Sequence, residues 1–228
     1  MAGFFVTGTD TEVGKTVATC QLLRAFAAHG LKTVGMKPVA SGCEWRAGQN
    51  GQQEVWNADV AGHAAASSLK ADPALVNPYH FMPPIAPHLA AREVGVTVSL
   101  THIAACHAQL QQQADVVLVE GAGGWLAPLN DQAFMADLAV TLGLPVILVV
   151  GMRLGCINHA LLTAQAIRAR GLILAGWVAN RVDPAMARYE DNLATLQSTL
   201  NAPLIGQIAH HPEAEKGSLP AEAVAFLV

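Results

Sequence analysis

Six short apolar runs separated by helical patterns constrain this chain more than any other feature. They lie at Gly3 to Thr7, Thr33 to Pro38, Val116 to Glu120, Val146 to Gly151, Leu174 to Ala179 and Leu204 to Ile208. Each is too short for a helix and shows little polar alternation, the pattern of strands buried on both faces. Helical spacing of apolar residues is found from about Lys15 to His29, Leu100 to Gln113, Ile157 to Arg170 and Ala185 to Leu200. In the first of these, Val17, Leu22, Leu23 and Phe26 form the expected buried side and Gly30 the stop. Strands alternating with helices in this way are βαβ units. The expected fold is α/β: a doubly wound, mostly parallel sheet in a three-layer α/β/α sandwich, with residues 1–228 as one domain. Such sheets place ligands at the carboxyl ends of their strands, and the second strand is expected to neighbour the first there.

Apolar residues make up 52% of the 228 positions and charged residues only 13%. That composition fills a core and leaves apolar surface for a second copy, so a homodimer is expected. The net charge of −4 comes with no Lys/Arg cluster, which argues against a nucleic-acid partner. The segment Met1 to Val6 runs into a strand without a basic stretch, so no leader is expected. The uncharged, strongly apolar stretch Leu138 to Met152 is broken by Pro145 and is shorter than the roughly 20 apolar residues of a membrane helix. A cytoplasmic protein with no membrane partner is expected. Cys20, Cys43, Cys106 and Cys156 are widely spaced and read as small buried hydrophobes. The nine histidines are dispersed, with only His210 and His211 adjacent. Residues 42–57 lack periodicity and read as a surface loop, and Asn77 to Pro87, with four prolines, as an irregular segment.

Chemistry concentrates at five places. Gly8-Thr9-Asp10-Thr11-Glu12-Val13-Gly14-Lys15-Thr16 joins the first strand to the first helix, the position of a phosphate-binding loop. Its backbone N–H groups and the helix N-terminus suit phosphate oxygens, with Lys15 reaching the β- and γ-phosphates and the Thr16 hydroxyl a Mg²⁺ ion. The first glycine stands at Gly8, where the usual spacing has it at position 9. Val116 to Glu120 followed by Gly121-Ala122-Gly123-Gly124 presents an acid at a strand end: a carboxylate for Mg²⁺, or a solvent-facing side chain before a turn. Lys37, at the end of the second strand, is either a second positive charge over a transferring phosphoryl group or a snorkelling surface residue. Asp59 is either a further Mg²⁺ carboxylate or the N-cap of a helix over Val60 to Ala66. The loop after Val150 has free N–H groups suited to an anion, and Asn158 is either part of that site or a helix-start cap.

Taken together, Gly8 to Thr16, Lys37-Pro38-Val39-Ala40-Ser41-Gly42, Val119 to Gly124, Gly155-Cys156-Ile157-Asn158-His159-Ala160 and Asn180 resemble the dethiobiotin synthetases, a P-loop NTPase family. The resemblance runs from Gly3 to about Ile208, with the motifs in family order. It implies ATP-dependent joining of CO₂ to 7,8-diaminopelargonic acid through a carbamate and its mixed anhydride with phosphate, closing the ureido ring of dethiobiotin in biotin synthesis. It implies Lys15 and Lys37 as charge stabilisers, Thr11 and Ser41 at the diamine or carbamate, and Thr16, Asp59 and Glu120 as Mg²⁺ ligands. Glu12, Val13, Gly14, Lys15, Thr16 and Val17 then wrap the phosphates, with Gly121, Ala122 and Gly123 beside them. Asn180 reads the adenine, with Arg181 next to it where an acid is common. Gly151 to Asn158 belong to a loop that receives the substrate carboxylate across a homodimer interface.

The chain departs from the family pattern in its longer 42–57 segment, in Ala86-Pro87-His88 for Ser-Pro-His, and in Ala209-His210-His211. The alternative readings are a dimeric P-loop ATPase switch, whose signature lysine would stand at Asp10, and a nucleotide-binding synthetase-like domain without turnover.

Overall fold

A computed structural model describes residues 2–48 and 52–228. The elements are β1 (Ala2–Gly8), α1 (Lys15–Ala28), β2 (Thr33–Met36), β3 (Val39–Ala40), β4 (Glu44–Ala47), β5 (Gln53–Trp56), α2 (Ala58–Ala66) and α3 (Pro73–Val76). They continue as β6 (Tyr79–His80), α4 (Pro87–Glu93), α5 (Leu100–Gln111), β7 (Val116–Gly124), α6 (Met135–Leu142) and β8 (Val146–Gly151). Last come α7 (Cys156–Ala169), β9 (Leu174–Asn180), α8 (Tyr189–Thr199) and β10 (Leu204–Ile208), followed by two 3₁₀ turns.

The six expected strands are the six strands of one parallel sheet, ordered β10-β9-β8-β1-β7-β2. Both sheet faces are apolar because successive residues of one strand serve different cores. Phe4, Val6, Leu118 and Val149 face a cluster with Leu22, Leu23 and Phe26 of α1. Phe5, Val117, Val119 and Val150 face the other, with Ile103 of α5, Leu138 of α6 and Ile167 of α7. Alternation therefore packs apolar residues on both faces, and no regular polar alternation marks the pleat. All four cysteines are free and buried. Among the described residues, no helix is long and apolar enough to cross a membrane.

Several expectations need correction. β2 does not neighbour β1; β7 lies between them, with Met36 paired to Val119 and Val6 to Glu120. Strand β7 continues through Gly124 where a flexible glycine loop was expected, and Gly8 pairs with Gly124 across a register shift. Within 42–57, β4 and β5 form an antiparallel hairpin. Its residues are mostly exposed, so it carries no apolar signal, and Gln49 to Gly51 lie outside the described residues. Helix α8 starts at Tyr189, four residues after Ala185, because Arg188 sits in the left-handed region at φ 56°. Val17 is only half-buried, whereas Leu22, Leu23 and Phe26 are fully buried.

Edge strand β2 is closed by serines that follow α2. Thr33 N–H donates to Ser68 Oγ at 2.8 Å and Gly35 N–H to Ser67 Oγ at 3.0 Å. An unpaired strand edge is a liability; here its pairing fastens α2 against the sheet.

Candidate active site

The phosphate loop is shaped by two left-handed residues, Glu12 at φ 59° and Gly14 at φ 81°. Gly14 is the N-cap of α1. A Cβ at this position would lie 2.0 Å from Asn180 Nδ2, so glycine is required by both backbone and space. Asn180, buried at the end of β9, donates from Nδ2 to the Val13 carbonyl at 2.9 Å and so braces the loop. Lys15 curls over the loop, its Nζ donating to the Asp10 carbonyl at 3.0 Å. Burial, and then the nearby Lys37 ammonium, pull the Lys15 pKa down to about 8.

Strand order creates the charged centre. Lys37 is one residue beyond Met36 and Glu120 one beyond Val119, and those two residues are paired. Lys37 Nζ accordingly lies 2.7 Å from Glu120 Oε1, and also 2.7 Å from Asp59 Oδ2. Burial alone would lower the Lys37 pKa, but the carboxylates of Glu120 and Asp59 override it and raise it, so the ammonium persists. Burial likewise pushes Glu120 up, and Lys37 and His63 overcome it, holding this carboxyl well below the usual range. The solvent-facing alternative for Glu120 and the snorkelling alternative for Lys37 are therefore both corrected, since each side chain is buried.

Thr16 Oγ1 donates toward Asp59 Oδ1 at 2.7 Å and Glu120 Oε1 at 3.0 Å. One hydroxyl and two carboxylates thus converge from α1, α2 and β7. Among the described residues no three His, Cys, Asp or Glu side chains form a self-contained metal cage. A partial set of hard oxygens fits Mg²⁺, which takes one or two carboxylates and completes its shell with phosphate oxygens and water.

Asp59 is not the helix cap. Asn57 is: its Oδ1 accepts from Asp59 N–H at 3.1 Å and Val60 N–H at 3.4 Å, while its Nδ2 donates to the Ser41 carbonyl at 3.2 Å. Asp59 is thereby freed to turn toward Thr16. Nor is Asn158 a cap, because Gly155 precedes α7 in the left-handed region and Asn158 is exposed in the first turn.

These residues open on a cleft of about 590 Å³ lined by Thr11, Glu12, Gly14, Lys15, Thr16, Lys37, Ser41, Asp59, Glu120, Ala122 and Gly123. Ser41 Oγ is buried without a hydrogen-bond partner and so is free for a ligand. Val13, Val17, Gly121, Gly151, Asn158, Asn180 and Arg181 do not line it. A Cβ on Gly151 would lie 2.8 Å from Val13 Cγ1, so this glycine packs under the phosphate loop. Arg181 stacks 4.9 Å from the Tyr189 ring and donates to the Pro184 carbonyl.

Sequence reasoning missed three contributors. His63 Nε2 lies 2.7 Å from Glu120 Oε2. Its one legible signal is its position four residues after Asp59, on the same helix face. Asn57, the cap, was overlooked beside Asp59. Arg153 pairs with Asp10 at 2.7 Å and ties the loop after β8 to the phosphate loop.

A family model described as an AAA domain matches residues 2–217. The ATP-dependent dethiobiotin synthetase BioD of Aromatoleum aromaticum (strain DSM 19018 / LMG 30748 / EbN1) is 53% identical over 226 residues, covering 98% of this chain and 96% of that protein. The protein of the same name from Nitrosospira multiformis (strain ATCC 25196 / NCIMB 11849 / C 71) is 55% identical over 204 residues, 90% and 86% of the two chains.

The chain belongs to the ATP-dependent dethiobiotin synthetases.

Among solved structures, the MinD cell division protein of Aquifex aeolicus matches this enzyme with a TM-score of 0.58 at 16% identity. That match covers 100% of this chain and 94% of the other. Cell division protein FtsY of Thermotoga maritima gives 0.55 at 16% identity, covering 100% and 68%. At such identities the likeness is one of fold, the three-layer α/β/α P-loop architecture. Relatives more than half identical over most of the chain favour the synthetase over the ATPase-switch alternative.

Proposed function

We propose that this enzyme forms dethiobiotin from 7,8-diaminopelargonic acid, CO₂ and ATP, at the cleft where Lys15 and Lys37 meet Thr16, Asp59 and Glu120. Family membership supports the overall reaction, a step of biotin synthesis. The observation that carries the assignment of the cleft is the Lys37 ammonium, held 2.7 Å from both carboxylates beside the phosphate loop.

One substrate amine adds to CO₂ and loses a proton, giving a carbamate. A carbamate oxygen attacks the γ-phosphorus and ADP leaves. The second amine then attacks the carbonyl carbon, phosphate departs, the amine gives up a proton, and the ring closes. Lys15 and the N–H groups of Glu12 to Val17 hold the phosphates, with Gly121, Ala122 and Gly123 along the strand beside them. Lys37 offsets charge that spreads over the transferring phosphoryl group and the carbamate. Thr11 and the unpartnered Ser41 hydroxyl orient the diamine or carbamate. Thr16, Asp59 and Glu120 are the residues that would hold Mg²⁺, whose charge neutralises phosphate oxygens when bound. The sequence presents no residue as an obligatory general base, which suits a reaction driven by positioning and charge.

Asn180 and Arg181 lie on the nucleotide side, Asn180 through the loop it braces. The family resemblance supports a homodimer in which each copy's loop between Gly151 and Asn158, where Leu154 is exposed, meets the other's substrate. Cytoplasmic residence accords with this chemistry.

The test is phosphate release from MgATP with bicarbonate, with and without the diamine, together with mass detection of the product. Diamine-dependent release with dethiobiotin formed is the expected result. Diamine-independent release, or none, overturns the assignment.

A further inference from the structure

Glu120 accepts at both carboxylate oxygens, and the two sides differ in kind. Oε1 meets the groups that open on the cleft, Lys37 at 2.7 Å and Thr16 at 3.0 Å. Oε2 is directed the other way and, among the described residues, hydrogen-bonds only with His63 Nε2, at 2.7 Å, with both side chains completely buried. The sequence prepares this contact in two places. His63 stands one helical turn after Asp59, so α2 carries a cleft carboxylate and the histidine on one face. Opposite, β2 has Gly35, where a Cβ would lie 2.9 Å from His63 Cβ and 3.0 Å from Cγ. The missing side chain is the space in which the imidazole lies. The serines that fasten α2 to β2 hold this arrangement in register: Ser67 Oγ, which receives the Gly35 N–H, itself donates to the His63 carbonyl at 2.7 Å.

We propose that His63 is a positioning residue for the metal site: its Nε2–H fixes Glu120 Oε2 and thereby aims Oε1 at the ion. The inference rests on the Mg²⁺ reading of Thr16, Asp59 and Glu120 above. A carboxylate on a single bond to its chain rotates unless its second oxygen is held, and groups that orient metal ligands are worth about ten- to a hundredfold in affinity. His63 Nδ1 has no hydrogen-bond partner. The imidazole is therefore committed to Glu120 alone, as a donor, because a carboxylate oxygen accepts.

The experiment measures Mn²⁺ binding to the ADP complex by electron paramagnetic resonance, which needs no turnover. His63→Leu should weaken Mn²⁺ about ten- to a hundredfold, whereas His63→Gln, with an amide N–H that can still reach Oε2, should stay near the unmutated protein. Unchanged affinity in His63→Leu overturns the proposal, as does a His63→Gln loss equal to that of His63→Leu. Thr16→Val in the same assay tests the metal site itself. Mn²⁺ held as tightly by that variant sinks the site reading, a result distinct from failure at His63. Should either His63 variant misfold, long-range ¹H–¹⁵N spectra of the unmutated protein decide: a proton on Nε2 is expected, and an unprotonated Nε2 overturns the assignment.

Discussion

Lys37 Nζ sits 2.7 Å from Glu120 Oε1 although the two residues are 83 positions apart in the chain. On the proposed reading, the contact links the residues that would hold Mg²⁺ to the lysine that would act on the transferring phosphoryl group. Lys37→Ala is expected to lower kcat by about 10²- to 10³-fold, the scale for losing a preorganised charge at a transition state, with a smaller change in ATP affinity. It also strands a buried carboxylate, which destabilises by about 3–5 kcal/mol. Steady-state kinetics and thermal unfolding check both effects, and a rise in KM for ATP alone contradicts the catalytic role.

Gly14 and Gly30 separate backbone strain from site disruption. Both have positive φ, 81° and 88°, but an added Cβ at Gly30 meets nothing within 4 Å, while at Gly14 it strikes Asn180 Nδ2. Gly30→Ala should cost about 1 kcal/mol of stability and leave nucleotide binding intact. Gly14→Ala should weaken nucleotide binding at least tenfold, because Asn180 must move and release the Val13 carbonyl. Calorimetric titration with ADP compares the two.

Asn57 holds two parts of the site with one amide. Asn57→Ala should cost about 1 kcal/mol through loss of the cap, and Asn57→Asp should recover most of that because aspartate also caps. The aspartate cannot donate to the Ser41 carbonyl, so its KM for the diamine should remain raised. Full recovery of KM by Asn57→Asp would show that only the cap matters.

His107 is buried, its Nε2 has no partner, and burial lowers its pKa from the usual 6.5. The folded state thus takes up a proton less readily than the unfolded chain. This contribution to stability is fully present above pH 6.5 and is lost as pH falls below it, by at most about 1.4 kcal/mol per unit. Denaturant melts between pH 7.5 and 5 should show the decline, and His107→Leu should flatten it.

The six sheet strands were legible because a parallel sheet covered on both faces leaves uninterrupted apolar runs. The β4–β5 hairpin was not, since its mostly exposed residues carry no sustained apolar alternation to flank the Asn50-Gly51 turn signal in the sequence between them. The phosphate loop was legible because glycine, lysine and threonine at one strand–helix junction are required locally, by backbone shape and phosphate chemistry. Asp59 was ambiguous because capping and metal binding ask for the same short carboxylate. Asn57, two residues earlier, takes the cap and leaves the acid free.

The chain's own pattern therefore determined its strands, its phosphate loop and its family motifs, all set by neighbours within a few residues. Only tertiary structure decided that β7 lies between β1 and β2, which turns Lys37 and Glu120 into partners. It also placed His63 behind Glu120, through a gap left by Gly35. Strand order and helix packing are fixed by long-range burial, and a contact between distant residues leaves no periodicity in either segment.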